Sequence, residues 1–320
     1  MTGASVAVRD LHFRYPGASA STPSVLAGVD FEVTPGERVA ILGPNGSGKT
    51  TLMLMLASLL APDAGDLRIG GVDPIAEPAL ARGILGWMPD ALGAWPALTA
   101  RETITVTGEL YGMSREQARG RAAQLLAELG LESLADSPAR VLSRGQKQKL
   151  GLARALVHNP RVLLLDEPAS GLDPQARIDL RVLLRRFAAE GRTVLISSHV
   201  LSELEEVIDD AVFLVAGETV SSDRVAAAAS RVRTWRIRLA DRDATAAVLP
   251  VARTLGLDAG VLPTDRRDVL VGFASDADAA QALAALIGAG LPVAEFSAAT
   301  SMLEHTFLDL REGPARGGTA

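Results

Sequence analysis

One short segment near the N-terminus constrains the fold more than any other part of the chain. Residues 43–50 have the sequence GPNGSGKT, in which two glycines separated by four residues precede a lysine and a hydroxyl residue. The apolar run before this segment predicts a strand, and the residues from Thr51 onward predict a helix. In that context glycines let backbone N–H groups turn towards phosphate oxygens, next to the positive N-terminus of the helix. The segment therefore predicts a phosphate-binding loop in an α/β domain.

The side chains of this loop have separate expected roles. Lys49 should reach the β- and γ-phosphates of a nucleoside triphosphate, and Thr50 should bind Mg²⁺ through its hydroxyl group. The alternative is a glycine-rich turn with a surface lysine, which is rare when the whole pattern lies between a strand and a helix. The candidate nucleotide-binding residues are Gly43, Pro44, Asn45, Gly46, Ser47, Gly48, Lys49, Thr50 and Thr51.

A second predicted strand ends in two acidic residues. Residues 162–165 are all apolar, which is typical of a parallel strand buried on both faces, and Asp166 and Glu167 follow them. Ligands bind at the carboxyl ends of such strands. We therefore expect Asp166 to hold Mg²⁺ through water, and Glu167 to accept a proton from an attacking water. The alternative is a strand that ends in two solvated carboxylates.

Composition limits the class of protein. The chain has 320 residues, of which 48% are hydrophobic, which is typical of a globular protein. Its formal net charge of -6 does not indicate a general nucleic-acid binder, which usually has a basic surface. The absence of cysteine excludes disulfides, thiolate metal sites and thiol catalysis. No signal-peptide pattern is visible, and the most apolar run, residues 52–61, is shorter than the roughly 20 residues that cross a bilayer. We expect a cytoplasmic protein, and any membrane part must come from another chain.

The hydropathy pattern predicts two domains. Residues 1–222 alternate apolar runs with helical patterns, which predicts an α/β domain, whereas residues 223–320 predict a small α+β domain with a frayed tail. Ser114 with Gln117, and Asp173 before Pro174, mark two helix starts. The predicted strands are 6–15, 29–33, 38–42, 162–166, 193–197, 211–215, 235–240, 269–273 and 292–296, and the predicted C-terminal helices are 244–256, 276–288 and 301–311.

Several motifs in order resemble those of the ABC ATPase family. Residues 142–146, LSRGQ, resemble its signature motif, and residues 170–173, SGLD, resemble the loop that follows the acidic strand. Tyr15 resembles the aromatic residue that stacks on adenine, and His199 resembles the histidine that contacts the γ-phosphate. The resemblance covers residues 6–222. It implies ATP as the nucleotide and a P-loop ATPase fold with a helical subdomain that carries the signature.

The resemblance also implies a dimer. Two ATPase subunits, identical or different, would face each other head to tail with two ATP molecules between them. Ser143 would cap a helix from about residue 146 to 157, whose N-terminus points at ATP held by the opposite chain. His199 would position the attacking water. The residues expected to act in trans are Ser143, Gly145, Gln146 and Asp173.

Two positions depart from the family pattern, and two others have ordinary alternatives. Asp90 stands where family members often have Gln, and its carboxylate can still bind Mg²⁺. Arg144 is a bulky basic residue inside the signature, and we expect it to be no more than a solvated charge; the alternative is a contact with phosphate. Taken alone, Tyr15 also fits ordinary packing, and His199 also fits a surface or capping histidine.

The C-terminal end points to one branch of the family. Residues 301–307 resemble the appendix of ATPases paired with ABC-2 type permeases, which implies export through a separate transmembrane permease. The chain would then lie on the inner face of the cell membrane, and residues 87–109 would help to form the groove that receives a permease helix. One alternative is a soluble ABC ATPase that acts on a ribosome or another assembly. The other is a dimer that binds ATP without turnover, against which Glu167 and His199 argue.

Overall fold

The computed structural model describes most of the N-terminal two thirds of the chain and parts of the remainder. The described residues are 2–17, 23–90, 95–198, 207–221, 223–225, 233–240, 262–264, 268–273, 275–299, 306 and 310. The chain forms two compact units, Met1–Val220 and Ser221–Ala320.

Both units contain strands and helices. The strands are β1 (Val6–Phe13), β2 (Leu26–Val33), β3 (Arg38–Leu42), β4 (Ala64–Ile69), β5 (Leu85–Met88), β6 (Val162–Asp166), β7 (Thr193–Ser198), β8 (Asp210–Val215), β9 (Glu218–Thr219), β10 (Arg233–Leu239), β11 (Leu262–Thr264), β12 (Asp268–Phe273) and β13 (Val293–Ala298). The helices are α1 (Lys49–Leu56), α2 (Pro78–Ile84), α3 (Ala100–Leu110), α4 (Arg115–Glu128), α5 (Arg144–Leu156), α6 (Pro174–Ala189) and α7 (Asp276–Gly288).

A six-stranded sheet forms the centre of the N-terminal unit. Its strand order is β5-β6-β7-β3-β8-β9, and every neighbouring pair is parallel except β8 and β9. All five residues of β6 and all six of β7 are buried, as expected for strands covered on both faces. Because the strands run in register, Asp166 at the end of β6 lies beside Ser197 of β7, and Ser197 lies beside Ile41 of β3.

A smaller antiparallel sheet packs against one face of this centre. It has the order β2-β1-β4, and its inward residues share one apolar core with helix α1 and the central strands. Fully buried members of this core include Val6, Leu26, Leu52, Met55 and Leu164. The shared core fixes α1, and therefore the loop before α1, against the carboxyl ends of the central strands.

Three helices between β5 and β6 begin with the same capping arrangement. In α4 the hydroxyl of Ser114 accepts from the backbone N–H of Gln117, whose side chain bonds back to the Ser114 backbone, as predicted. Thr99 and α3, and Ser143 and α5, repeat this pattern. At α6 the carboxylate of Asp173 accepts from the N–H of Ala176, and Pro174 is the first helical residue, which confirms that predicted helix start.

The C-terminal unit contains a four-stranded antiparallel sheet of order β11-β12-β10-β13. Helix α7 packs against it through Ala279, Ala282 and Leu286, opposite sheet residues such as Val271 and Phe273. The predicted helix at 244–256 lies outside the described residues, and of the predicted helix at 301–311 only residues 306 and 310 are described. Within the described residues, no helix is long and apolar enough to cross a membrane.

The predicted strands are correct in position and differ mainly at their ends. β1 ends at Phe13 instead of Tyr15, and β2 begins three residues earlier than expected, at Leu26. Helix α5 begins at Arg144, directly after its Ser143 cap, and not near residue 146. These ends depend on pairing between distant strands and on caps, which hydropathy alone does not define.

Helix α6 allows a matched test of the core, because it carries a buried and an exposed aliphatic residue of equal size. Leu184 is 1% exposed, whereas Ile178 is 47% exposed. Leu184→Ala should lower the free energy of unfolding by about 2–5 kcal/mol, since it leaves a cavity. Ile178→Ala should lower it by less than about 1 kcal/mol. Urea unfolding of the nucleotide-free chain, followed by circular dichroism, measures both, and equal effects would contradict this assignment of the core.

Candidate functional site

The loop between β3 and α1 can be built only with glycine at two of its positions. A Cβ atom on Gly43 would lie 2.3 Å from the Ser47 hydroxyl oxygen and 2.4 Å from the Leu214 carbonyl oxygen. Gly48 has a φ of 102°, and a Cβ atom there would lie 2.5 Å from a methyl carbon of Leu26. Close contacts at both positions therefore exclude a side chain, and the loop curls tightly onto the N-terminus of α1.

Lys49 spans this loop from the inside. Its Nζ donates hydrogen bonds to the carbonyl oxygens of Gly43 at 2.8 Å and Pro44 at 3.1 Å, and the residue is only 7% exposed. Burial lowers the pKa of the ammonium group, and the carboxylates of Glu167 and Asp166 oppose that shift. The lysine is therefore a buried cation that faces both acids.

Ser197 fixes the two acidic residues at the end of β6. Its hydroxyl donates to a carboxylate oxygen of Asp166 and accepts the backbone N–H of Glu167 at 3.0 Å. That N–H also points at the Ser197 carbonyl oxygen, at 3.2 Å. Glu167 has a φ of 49°, a left-handed conformation that costs a non-glycine residue about 1–3 kcal/mol. The two hydrogen bonds that the Glu167 N–H donates to Ser197 hold this conformation.

Asp166 lies among groups of both charges. Burial raises the pKa of its carboxyl group, and the nearby Asp90 carboxylate adds to the increase. Hydrogen bonds from the hydroxyls of Ser197 and Thr50, and the charge of Lys49, act in the opposite direction. The oxygen-bearing side chains of Thr50, Asp166 and Asp90 thus lie close together.

Several of the predicted residues line one cleft of about 500 Å³, which is the size of a small-molecule site. Asp166 is not among the lining residues but contacts Thr50, which is, and Gly43, Pro44 and Ser47 do not line the cleft either. The sequence-predicted residues in its walls are Tyr15, Asn45, Gly46, Gly48, Lys49, Thr50, Thr51, Asp90 and Glu167. Val25 and Ser170 also line it and are not among the site residues expected from the sequence.

Tyr15 lies at the rim of the cleft. Its hydroxyl is 3.2 Å from the Thr51 hydroxyl oxygen, its ring packs edge-on against Phe13 with centroids 4.9 Å apart, and the residue is 46% exposed. The ring thus packs against Phe13 while nearly half of the residue stays exposed, and its stacking on adenine stays a prediction.

The residues expected to act in trans lie elsewhere on the chain. Ser143, Gly145 and Gln146 form the first turn of α5, and Asp173 caps α6. In the described part of the chain, none of the four lines the cleft around Lys49. His199 lies outside the described residues.

The expectation that Arg144 is only a solvated charge is wrong. Its Nε donates to the carbonyl oxygen of Ser170 at 2.9 Å, and its Nη2 donates to the Ser170 hydroxyl at 3.0 Å. Because Ser170 is 26 residues further along the chain, this contact depends on how α5 packs beside the loop after β6.

Sequence reasoning misses two serines that hold the site together, Ser197 and Ser170. Ser197 could have been found, because β6 and β7 are both predicted and parallel neighbours bring their carboxyl ends to the same edge. Ser170 belongs to the 170–173 motif, but nothing in the sequence marks its contact with Arg144, since that contact joins a helix start to a loop.

The family comparison agrees with this geometry. A family model described as ABC transporter matches residues 26–170. A Nod factor export ATP-binding protein I from Paraburkholderia xenovorans (strain LB400) is 45% identical over 185 residues, covering 58% of this chain and 60% of the relative. A linearmycin resistance ATP-binding protein from Bacillus subtilis (strain 168) is 33% identical over 198 residues, covering 62% of this chain and 64% of the relative. The chain thus spans less than two thirds of the length of these curated relatives.

Solved structures extend the match to the fold. A dimeric bacterial ABC transporter cassette superposes with a TM-score of 0.62 at 27% identity, covering 68% of this chain and 97% of the cassette. An ATP-binding subunit of an ABC transporter superposes with a TM-score of 0.61 at 30% identity, covering 69% of this chain and 91% of that subunit. The predicted α/β fold of the P-loop ATPase type is confirmed, and the chain belongs to the ABC transporter family of ATP-binding proteins.

Proposed function

We propose that this chain binds and hydrolyses ATP as the energy-supplying subunit of an ABC transporter. The observation that carries the proposal is one cleft lined by Lys49, Thr50 and Glu167, with Asp166 in contact with Thr50 and close to Lys49. A buried lysine beside a glycine loop suits phosphate binding, and a carboxylate in the same cleft suits activation of water.

The protein groups divide the chemistry between them. Lys49 and the N–H groups at the start of α1 bind the phosphate oxygens, and their positive charge stabilises the negative charge that shifts towards the leaving phosphate. Ser47 has a buried hydroxyl without a hydrogen-bond partner among the described residues, so it is free to donate to a phosphate oxygen. Glu167 accepts a proton from the attacking water, and His199 is proposed to position that water.

The same cleft suits Mg²⁺. Thr50 and Asp166 are already within hydrogen-bond contact and Asp90 is close, so hard oxygen donors meet as Mg²⁺ requires. In the described residues no group of three or more His, Cys, Asp or Glu side chains forms a metal site. Mg²⁺ in nucleotide sites keeps waters and phosphate oxygens as ligands, so few protein ligands suffice. When bound, it supplies positive charge to the β- and γ-phosphates.

The signature residues are proposed to act across a dimer. Ser143 caps α5 through its hydroxyl and leaves the positive end of a helix of thirteen residues facing outwards. With Gly145 and Gln146, this helix end would bind the γ-phosphate of ATP held by a second ATPase subunit. Asp173, exposed at the start of α6, would contact the opposing subunit. The dimeric solved relative supports this arrangement.

We further propose export through a separate membrane permease of the ABC-2 type. The named relatives that act in Nod factor export and linearmycin resistance support the direction. The chain would then work at the inner face of the cell membrane, attached through the permease. The division into an ATPase domain at 1–222 and an accessory domain at 223–320 is part of the proposal. The boundary between the two compact units, which follows Val220 in the chain, supports it.

The role of Glu167 has a direct test. Glu167→Gln keeps the size and hydrogen-bonding capacity of the side chain but removes the base, so the hydrolysis rate should fall by about 10²-fold or more. ATP binding should persist, and size-exclusion chromatography in ATP and Mg²⁺ should show a trapped dimer. Glu116→Gln, an exposed change at the start of α4, is the matched control and should keep full turnover. Normal hydrolysis by Glu167→Gln would remove Glu167 as the base.

The transporter assignment is tested by its partner. Tagged protein recovered from detergent-solubilised membranes of the native host in ATP should carry a polytopic membrane protein in near-equal amount. Recovery with ribosomes or another soluble assembly instead would contradict the transporter proposal and favour a soluble ABC ATPase.

The proposed permease groove is tested by placing a charge at Trp95. Trp95 is 42% exposed, and the Arg154 guanidinium lies 5.6 Å from its ring centroid. Trp95→Glu should release the permease in the same purification, because a charge replaces an apolar contact. Leu59→Glu, a similar change at an exposed residue beyond α1, should leave it bound. Permease retained by Trp95→Glu would contradict the groove.

A further inference from the structure

Arg144 joins two parts of the chain with different proposed roles. It is the first residue of α5, and its guanidinium donates to the carbonyl oxygen and the hydroxyl of Ser170. The group covers the backbone of Gly171, where a Cβ atom would lie 2.5 Å from the Arg144 Nε. Gly171 has a φ of 67°, so this position is unfavourable for a side chain in its conformation as well as in its space.

The loop between Glu167 and α6 depends on this contact for one of its carbonyl groups. The N–H of Ser170 donates to the Glu167 carbonyl oxygen, and the N–H of Leu172 donates to the Ala169 carbonyl oxygen. The Leu172 carbonyl oxygen accepts from the Arg177 guanidinium. The Ser170 carbonyl oxygen accepts from Arg144, so the guanidinium pairs a carbonyl group of the turn that begins at Glu167.

Apolar contacts bring the same two segments together. Gly145 of α5 lies close to the loop and α6, since a Cβ atom on it would lie 3.7 Å from Leu172 and 3.5 Å from Ala176. Met88, Pro168 and Leu172 surround a small apolar cavity at this junction. The start of α5 thus rests on the loop through packing, and Arg144 supplies its polar, directional contact.

We infer that Arg144 is a positioning residue that couples the signature helix to the proposed catalytic base of the same chain. The inference rests on the proposed function. In a head-to-tail dimer, the start of α5 would bind ATP held by the opposite subunit, while Glu167 serves the ATP of its own subunit. Arg144 then links the occupancy of one ATP site to the geometry of the turn that begins at Glu167 in the other. This gives a bulky arginine in the signature a function that a solvated charge does not have.

The contact between Arg144 and Ser170 contributes little to stability, and its loss should mainly lower the rate of hydrolysis. Arg144 is exposed, and hydrogen bonds at an exposed site contribute little to global stability. A small displacement of a general base nevertheless slows proton transfer strongly, because the reaction depends on alignment. Loss of Arg144 should therefore change kcat more than ATP binding or folding.

The experiment compares Arg144→Ala, Arg144→Lys and Ser170→Ala with the wild-type full chain. Arg144→Ala should lower kcat about 5- to 10-fold with less than a twofold change in KM for ATP. Arg144→Lys should fall in between, since an ammonium group cannot make both fork-like hydrogen bonds. Once Arg144 is replaced by Ala, adding Ser170→Ala should cause no further loss, because the two changes disrupt one contact. Hydrogen exchange of the 167–172 amides should be faster in Arg144→Ala.

The matched control is Lys147→Ala, which removes a positive charge from the same helix. The Lys147 ammonium group donates to the Arg140 carbonyl oxygen at 3.4 Å, just before its own helix, so this variant should keep wild-type kcat. The double variant Arg144→Ala, Glu167→Gln should still form the trapped dimer in ATP, which would support a role of Arg144 after ATP binding.

Three results would overturn the inference. They are equal kcat for Arg144→Ala and Lys147→Ala, additive losses from Arg144→Ala and Ser170→Ala, or loss of the trapped dimer in the double variant. An inactive wild-type protein with unchanged 167–172 exchange in Arg144→Ala would overturn both proposals. An inactive wild-type protein with faster exchange would overturn the proposed function, and with it the coupling to catalysis, but would leave the contact between Arg144 and the loop supported.

Discussion

The site depends on the parallel register of β3, β6 and β7, whose carboxyl ends meet at one edge of the sheet. Register places Ser197 beside Asp166, and the Ser197 hydroxyl then contacts both the Asp166 carboxylate and the Glu167 backbone. The glycine loop follows β3 at the same edge, so Lys49 faces the acids without any further adjustment. A shift of β6 by one residue would turn Asp166 to the opposite face of the sheet and separate it from Thr50.

Burial gives these charged groups their chemical character. Burial disfavours the charged forms of both Lys49 and Asp166, lowering one pKa and raising the other, while each group favours the charge of the other. Asp90 acts against Asp166, because two carboxylates in one place repel. A cation held between them would relieve this repulsion, which is why an acidic residue at position 90 is compatible with a magnesium-dependent site.

The sequence predicts this arrangement well where one local pattern contains the information. The phosphate loop, the buried strand before Asp166 and the caps of α4 and α6 each have a short signal, and the structure has them where expected. Elements such as β4 and β9 are missed, because β4 contains Gly65 and Asp66 among few apolar residues and β9 has only two residues. Both are strands only because a longer strand pairs with them.

Arg144 shows most clearly why the rest could not be predicted. From the sequence it is a charged residue at a helix start, where an arginine opposes the positive helix end and gains nothing from its own helix. Its partner must therefore be found in tertiary structure, and the partner is a backbone carbonyl, which every residue has and no sequence pattern marks. A position that is unfavourable locally but satisfied by a distant contact is where a function-related constraint is expected. The same reasoning applies to Glu167, whose left-handed backbone is held by Ser197 from the neighbouring strand.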